Sequence, residues 1–317
     1  MKKQSLAIVI SLAKSHVHYC KALIASIEHY GIKNPVIIFK DGDFNLDSIS
    51  QRKNVTVLST EELNACHDFN LRGLLNKINI CFLPEMGFDY DYYLHMDADS
   101  IITSQSFKSV IESSKSDFSI LQGKQVDYLN SDIAKVFDNF AFVPSTFENT
   151  SFDLKNMWYF SSGHFIVNKT LINPLKSYLK VYRNELNTGF SKDTRFKFGD
   201  QGFFNFVVNV LSYEGTIDVS LINDGIYGKE KAVNHNELTL DNVVKKRDTG
   251  VDFIHYTGPS RKANLKSHNF GDILHFFNKS FYTNNFSFYL HDRIRICNYY
   301  LKWYEKRLKN KFKTLTK

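Results

Sequence analysis

Three short apolar runs near the start of the chain constrain its fold more than any other feature. They occupy residues 6–10, 36–39 and 55–58. Continuous runs of this length are typical of buried parallel strands. Between the first two runs lies an apolar stripe at helical spacing, which Ser15 can cap and Gly31 can end. This strand–helix–strand order predicts a right-handed βαβ unit in an α/β domain, with a mostly parallel central sheet flanked by helices.

A fourth run, residues 92–96, ends in two carboxylates, Asp97 and Asp99. Side chains alternate along extended backbone, so these two aspartates point the same way. Two carboxylates aimed at one spot repel each other unless a cation lies between them. Mg²⁺ or Mn²⁺ prefers such oxygen ligands and keeps positions open for water and phosphates. An ordinary strand end with two solvated aspartates also explains the pattern, and both interpretations stay open on these residues alone.

The mostly apolar pattern of residues 71–83 predicts a mostly buried helix that ends before Pro84. Arg72 and Lys77 are the only charged residues in this segment. Residues 158–168 predict a strand interrupted by small residues, which either admit a ligand or form a bulge. Further strands are predicted at 118–121, 218–222 and 253–258, helices at 131–142 and 170–186, and an exposed loop at 228–250.

Two residues of these later segments have ordinary structural explanations. Asp200 stands at the start of a helix with a stripe of phenylalanine and valine, where an acid is favourable for capping and dipole reasons alone. His255 is a lone histidine within a short apolar strand, and such a residue is more often structural than a ligand. Its role depends on where that strand ends relative to Asp97, which periodicity cannot decide.

Composition, cysteine spacing and the absence of common motifs narrow the class of protein. With 317 residues, 43% of them hydrophobic, the chain can form one large α/β domain or two small ones. Four widely spaced cysteines without a C-x-x-C pair predict reduced thiols in a cytosolic protein. The apolar run at the N-terminus is too short for a signal peptide, and no stretch is long enough to span a membrane. We find no P-loop, G-x-G-x-x-G or G-x-S-x-G motif.

The order of four motifs resembles that of the family 8 glycosyltransferases, which are retaining enzymes of the GT-A fold. The motifs are residues 93–99, 161–168, 199–205 and 254–259, and with the βαβ unit the resemblance spans residues 6–260. It implies a GT-A catalytic domain at 1–265, followed by an aromatic and basic helical extension at 266–317.

The resemblance also implies roles for individual residues. Asp97, Asp99 and His255 would bind Mn²⁺ or Mg²⁺ that bridges a nucleotide diphosphate, and Asp200 and Gln201 would act near the anomeric carbon of the donor sugar. The donor would be bound by Ile10, Ser11, Lys77, Asp97, Ala98, Asp99, Ser162, Gly163, His164, His255, Gly258 and Lys262. The sequence departs from the family in two places. The loop at residues 11–16 lacks the usual acid, and Arg261-Lys262-Ala263 replaces a Lys-Pro-Trp run.

The activity implied by the resemblance is transfer of a hexose or N-acetylhexosamine from a nucleotide-sugar to a glycan or glycolipid acceptor. The implied donor is UDP-linked, and the implied setting is bacterial surface polysaccharide or lipopolysaccharide synthesis. An amide is a poor nucleophile, so we favour retention by a front-face path in which Asp200 and Gln201 position the donor. Two alternatives remain: an inverting GT-A enzyme with Asp200 as base, and a catalytically silent GT-A scaffold that binds a glycan or a partner.

The net charge of +7 is concentrated in the tail of the chain. Residues 291–317 contain nine Lys or Arg and two acids, so the rest of the sequence is neutral and offers no basic groove for nucleic acid. Aromatic and basic residues are interleaved between 286 and 317. This pattern predicts a helix that lies on an anionic membrane surface, which would place a cytoplasmic protein on the inner face of the cell membrane. The alternative is a solvated helix whose aromatic stripe packs on the core. The sequence does not reveal the oligomeric state.

Overall fold

The structure is a computed structural model of the chain. It describes residues 5–113, 116–127, 156–184, 199–222, 225–227, 238–245, 249–256, 270–282 and 284–315. Its strands are β1 Leu6–Ala13, β2 Val36–Asp41, β3 Val55–Ser59, β4 Tyr92–Asp97, β5 Ser100–Ile102, β6 Phe118–Ile120, β7 Gly123–Val126, β8 Met157–Phe160, β9 His164–Asn168, β10 Val219–Leu221, β11 Gly225–Tyr227 and β12 Phe253–His255.

A seven-stranded sheet in the order β10–β6–β9–β4–β1–β2–β3 forms the centre of the described chain. Strand β9 runs antiparallel to β4 and β6, and the remaining pairs are parallel. In the register of β1 with β4, Ser11 lies opposite Asp97, the last residue of β4, and β1 continues beyond this point to Ala13. A smaller sheet has the order β11–β12–β5, and β7 and β8 form a separate antiparallel pair.

Helices cover both faces of the sheet. The α-helices are α1 Val17–His29, α2 Asp47–Ser50, α3 Thr60–Asn64, α4 Phe107–Ser113, α5 Ile172–Val181, α6 Asp200–Tyr213, α7 Leu240–Val244, α8 Gly271–Phe281 and α9 Asn285–Leu315, and 3₁₀ helices occupy Lys14–His16, Gly73–Phe82, Pro84–Met86 and Lys169–Leu171. Successive side chains of β1 point to opposite faces of the sheet, so the sheet divides the hydrophobic core into two layers. Ile8 and Ile10 pack with α1 and α8, whereas Ala7 and Val9 pack with the Gly73–Phe82 helix, α5 and α6.

The sequence predicted the central sheet correctly, with errors in local detail. Ser15 does not cap α1. A 3₁₀ turn at Lys14–His16 precedes this helix, and the residue at its N-cap position, His16, makes no capping hydrogen bond through its side chain. The segment predicted as a buried helix at 71–83 is a 3₁₀ helix that begins at Gly73. Within the predicted loop at 228–250, α7 is helical and buries Val243, while the helix predicted at 131–142 lies outside the described residues.

The C-terminal part of the chain contains two different helices. Helix α8 belongs to the core and buries Ile273, Leu274 and Phe277 against α1. Helix α9 is attached to the body through Phe288, whereas Phe286, Tyr289, Tyr300 and Tyr304 are exposed. The described aromatic residues of α9 therefore do not pack on the core as a stripe. No helix in the described ranges is both long and apolar enough to cross a membrane. The domain boundary predicted after residue 265 falls outside those ranges and stays a prediction.

Candidate active site

Three strands bring Asp97, Asp99 and His255 together at the carboxyl edge of the main sheet. Asp97 ends β4, and Asp99 lies in the turn that leads into β5. Strand β12 pairs antiparallel with β5, with His255 opposite Ser100, and the Tyr256 N–H donates to the Asp99 carbonyl at 2.8 Å. This pairing joins segments more than 150 residues apart in the sequence. It places His255 beside Asp99, a position that sequence periodicity could not predict.

The three side chains form a compact set of ligand atoms. The His255 Nε2 lies 3.4 Å from Asp97 Oδ2 and 3.4 Å from Asp99 Oδ1. One ligand atom from each residue can be chosen so that all three lie within 4.8 Å of one another. Carboxylate oxygens and a neutral imidazole are suitable ligands for Mn²⁺ or Mg²⁺ at this spacing, and a Gly163 backbone without a side chain borders the space. The donor set therefore fits a divalent cation.

The environment of His255 favours a proton where a cation would bind. Burial opposes the charged imidazole, but hydrogen bonds to Asp97 and Asp99 outweigh it and raise the pKa of His255 to about 9. On the other side of the ring, Nδ1 lies 3.4 Å from Gln122 Oε1, which can only accept. Nδ1 therefore carries a hydrogen, and Nε2 is the atom directed at the two carboxylates.

Gln122 is a site residue that the sequence analysis missed. It is buried, it follows β6, and its backbone carbonyl accepts from the Ser161 N–H at 3.0 Å. Its Nε2 has no hydrogen-bond partner among the described residues. A glutamine in a loop after a strand carries no sequence pattern that marks it, so only the fold could bring it to His255.

Lys77 connects the candidate cation ligands with Asp200. Its buried ammonium lies 2.8 Å from Asp200 Oδ2 and 3.1 Å from Asp97 Oδ1, and it is 3.4 Å from the Ser162 carbonyl. The Ser162 hydroxyl also donates to Asp200 Oδ2. Asp200 is the first residue of α6, and its Oδ2 contacts both Lys77 and Ser162.

The Lys77 ammonium thus pairs with two carboxylates, and this pairing affects the pKa values of Lys77, Asp97 and Asp200. Burial works to lower the pKa of Lys77, but Asp200 and Asp97 outweigh it, so the pKa is raised and the amine stays charged. Burial works to raise the pKa of Asp97, yet Lys77 and His255 hold it well below its ordinary value. Burial raises the pKa of Asp200 despite the opposing Lys77 and Ser162. Of the two acids, Asp200 is the one that protonates more readily.

Gly163 is required where the chain passes the cation ligands. A Cβ added at this position would lie 2.6 Å from Asp97 Oδ2 and 3.2 Å from His255 Cε1. The Gly163 carbonyl accepts from the Asp97 N–H at 2.8 Å and lies 3.2 Å from His95 Nδ1. The small-residue step predicted between two strand segments is therefore a close approach of backbone to the site.

His95 is a second residue that the sequence analysis missed. Its burial and the neighbouring Lys77 lower the pKa of His95 to about 3, so the ring is neutral. Because Nδ1 faces the Gly163 carbonyl, it carries the hydrogen, and Nε2 accepts from the Ser11 hydroxyl at 3.2 Å. A neutral histidine thus links the end of β1 to the Gly163 turn.

Two buried asparagines hold the strand before this turn against α6. The Asn205 amide accepts from the Phe160 N–H at 3.0 Å and donates to the Phe160 carbonyl at 2.9 Å. One helical turn later, Asn209 does the same for Trp158, at 2.7 and 2.8 Å. Among the described residues β8 pairs with β7 alone, and these two side chains make the hydrogen bonds that a further strand would make. They fix residues 161–163 relative to Asp200, at the start of the same helix.

The structure places the other predicted site residues as follows. Ser11 lies within β1, because that strand continues to Ala13, and the buried Ile10 side chain belongs to the core. Ala98 is buried between the two aspartates, and the Gln201 side chain hydrogen-bonds Tyr159. His164 is fully buried, with its Nε2 2.6 Å from Ser100 Oγ and its ring edge-on to His255. Gly258 and Lys262 lie outside the described residues.

Comparison with known proteins identifies the fold. No protein-family model matches the sequence, and no curated protein sequence matches it. Among solved structures, the bifunctional glycosyltransferase WbbM aligns with a TM-score of 0.59 at 16% identity, over 90% of this chain and 51% of WbbM. The galactosyltransferase LgtC, solved with donor and acceptor sugar analogues, aligns with a TM-score of 0.50 at 15% identity, over 87% of this chain and 95% of LgtC.

The chain therefore has the GT-A fold of the glycosyltransferases, in a form like that of family 8, as the resemblance in sequence predicted. It spans about half the length of WbbM. Identities this low establish the fold and leave the activity to be argued from the site.

We expect Lys77→Met to destabilise the protein by about 3–5 kcal/mol near pH 8, because it leaves the buried Asp200 carboxylate without its cation and removes one of two cationic neighbours of Asp97. The loss should shrink near pH 5. With Lys77 gone, the folded-state pKa of Asp200 lies further above its unfolded value, so the folded variant binds a proton more tightly and its stability rises as pH falls. Urea unfolding of variant and wild type at both pH values measures this.

The matched control is Lys169→Met, which removes an exposed lysine that pairs with Asp89 at 3.3 Å. Its effect should stay within about 1 kcal/mol at either pH. A similar small loss for Lys77→Met, or a loss that does not change with pH, would contradict the electrostatic role assigned to Lys77.

Proposed function

We propose that the protein is a divalent-cation-dependent glycosyltransferase that moves a hexose or N-acetylhexosamine, with retention, from a UDP-linked donor to a glycan or glycolipid acceptor. The observation that carries the proposal is the cluster of Asp97, Asp99 and His255, with Lys77 and Asp200 beside it, at the carboxyl edge of a GT-A sheet. Ligands of open α/β folds bind at this edge. The proposed setting is bacterial surface polysaccharide or lipopolysaccharide synthesis, as the resemblance to family 8 suggests.

The reaction breaks the bond between the anomeric carbon and a diphosphate oxygen, and the electron pair leaves with the diphosphate. A cation bound by Asp97, Asp99 and His255 would stabilise the charge that develops there as a Lewis acid. The absence of a side chain at Gly163 lets this backbone pass in close contact with Asp97 and His255. Gln122 holds the His255 ring so that Nε2 faces the carboxylates, which keeps the ligand set in place before the donor binds.

The contacts of Asp200 favour positioning of the donor sugar over attack on it. Its Oδ2 is held by the Lys77 ammonium and by the Ser162 hydroxyl. A carboxylate restrained by two donors is a weaker nucleophile and a weaker base than a free one, which supports a front-face path. In that path the acceptor hydroxyl adds on the face that the diphosphate leaves, and its proton passes to the departing diphosphate. Gln201, one residue further on α6, would share the positioning role.

Donor turnover tests the proposal directly. A panel of UDP-, GDP- and CMP-linked sugars is incubated with the protein in the presence of Mn²⁺ or of EDTA, and release of the nucleotide is measured. We expect slow hydrolysis of one UDP-sugar that needs the metal and falls at least about 100-fold in Asp99→Asn, because one cation ligand and its charge are lost. The anomeric configuration of the product, followed by NMR, should match that of the donor.

Asp89→Asn is the matched control, since Asp89 is exposed and lies before β4 at the opposite edge of the sheet from Asp99. It should hydrolyse the donor at the wild-type rate. Inversion at the anomeric carbon would favour the inverting alternative with Asp200 as base. Absence of hydrolysis together with absence of metal-dependent UDP binding would favour the silent scaffold.

We also propose that α9 docks on an anionic membrane surface on the cytoplasmic side. Phe286, Leu290, Leu301, Tyr304 and Leu308 are all at least half exposed. At 100° per residue they fall within an arc of about 60°, so one narrow face of the helix is apolar and open to solvent. The whole net charge of +7 resides in residues 291–317. An apolar face on a strongly basic helix is typical of helices that lie in the membrane interface.

Vesicle co-sedimentation tests this docking. We expect the protein to bind vesicles that contain phosphatidylglycerol, to bind pure phosphatidylcholine much more weakly, and to be released by salt. Replacing Leu301 and Leu308 together by Asn should weaken binding at least about tenfold, because two leucines no longer enter the apolar layer. Leu74→Asn, at an exposed leucine of the catalytic body, is the control. Equal binding to both vesicle types would contradict the proposal.

A further inference from the structure

A groove of about 800 Å³ lies between α1 and α9, outside the cluster of candidate cation ligands. Phe288 is buried and packs against the rings of Tyr282 and His275, which anchors the first turn of α9. From this anchor α9 runs past α1, and the gap between the two helices forms the groove. Its volume falls within the range of about 300–1,000 Å³ that is typical of small-molecule sites.

Cations predominate among the residues that line this groove. Lys14, Lys21 and Arg295 are basic, and Asp292 is the one acid in the described lining. Asp292 accepts from Arg295 Nε at 3.1 Å, so these two charges offset each other. The Lys21 ammonium donates to the Tyr282 hydroxyl at 2.9 Å, and this neutral partner does not offset its positive charge. A concave surface with this excess of positive charge attracts anions.

Aromatic rings also line the groove. The rings of Tyr282 and His291 are stacked, with their centroids 5.7 Å apart and their planes at 29°. The Lys21 ammonium lies 4.6 Å from the centroid of the Tyr282 ring. Aromatic rings beside cations suit ligands that combine an apolar ring surface with negative charge, and an acidic saccharide has both.

One end of the groove adjoins the candidate active site. Lys14 and Ser15 line the groove, and His16 follows them directly. The Ser15 hydroxyl lies 3.1 Å from His16 Nδ1, and His16 Nε2 lies 3.9 Å from Asp99 Oδ2. The His16 side chain therefore lies between this end of the groove and the candidate cation ligand Asp99, and an acceptor in the groove would have to pass His16 to reach the donor.

We propose that this groove binds the acidic part of the glycan acceptor, namely a saccharide that carries a phosphate, diphosphate or carboxylate group. The inference rests on the proposed function, because it is the transfer reaction that makes an occupant of this groove an acceptor. Lys14 and Lys21 pair with the anionic group, and Tyr282 with His291 receives the sugar ring. The acceptor's reacting hydroxyl extends past Ser15 toward Asp99.

Binding of matched probes tests the groove. One pair is an octyl diphosphate-linked hexose and the uncharged octyl hexoside; the other is a galacturonate trimer and the neutral galactose trimer. We expect wild-type protein to bind at least one acidic probe more tightly than its neutral partner in calorimetric titrations. Lys14→Gln and Lys21→Gln should each weaken that binding about fivefold, and high salt should weaken it too. The acidic probe that binds shows whether phosphate or carboxylate is recognised.

Lys33→Gln removes the same charge at an exposed position outside the groove and should leave probe affinity unchanged. Equal affinity of wild type for acidic and neutral probes would overturn the inference, as would an equal loss in Lys33→Gln and Lys14→Gln. Donor hydrolysis by wild type is read separately. If the wild type hydrolyses a donor but shows no preference for an acidic probe, only the assignment of the groove is wrong. If an acidic probe binds, and binds more weakly in Lys14→Gln and Lys21→Gln, but no donor is hydrolysed, the anion site stands and the proposed reaction is wrong.

Discussion

A single buried ammonium holds the candidate site together. Lys77 comes from a 3₁₀ helix beneath the sheet, and it contacts Asp97 at the end of β4 and Asp200 at the start of α6. Each of these charges would be costly to bury alone, so the three segments are constrained to meet at one point. The remaining parts of the site are arranged around this point. Ser162 binds the same Asp200 oxygen, and Gly163 passes directly over Asp97.

Much of the fold could be predicted because its signals are local. Apolar runs of strand length, one amphipathic helix and the Asp97–Asp99 strand end give β1, β2, β3 and β4 their positions in a parallel sheet. The buried helix predicted at 71–83 is present as the 3₁₀ helix Gly73–Phe82, a helix type that the sequence prediction did not specify. In the 3₁₀ helix, side chains three apart are eclipsed, which lets Asn79 donate to Asn76 at 2.9 Å while Lys77 faces the carboxylates.

The rest of the site depends on contacts between distant segments, which carry no local pattern. The pairing of β12 with β5 brings His255 to Asp99 from the far end of the chain. Gln122 and His95 are ordinary residues of a loop and a strand until the fold places them against His255 and Gly163. Asp200 does lie in the first turn of its helix, where an acid is favourable, but its pairing with Lys77 and Ser162 could not be read from that position. Motif order suggested the site, and tertiary pairing determined which atoms meet.

The central claim is that Asp97, Asp99 and His255 act as one binding site for a divalent cation. Electron paramagnetic resonance of free Mn²⁺ during a titration with the purified protein measures this most directly. We predict one tight Mn²⁺ per chain in the wild type, and loss of that binding in Asp99→Asn and in His255→Ala, with Asp89→Asn unchanged. Wild-type protein that binds no Mn²⁺ even with UDP present, or binding that survives both substitutions, would contradict the account.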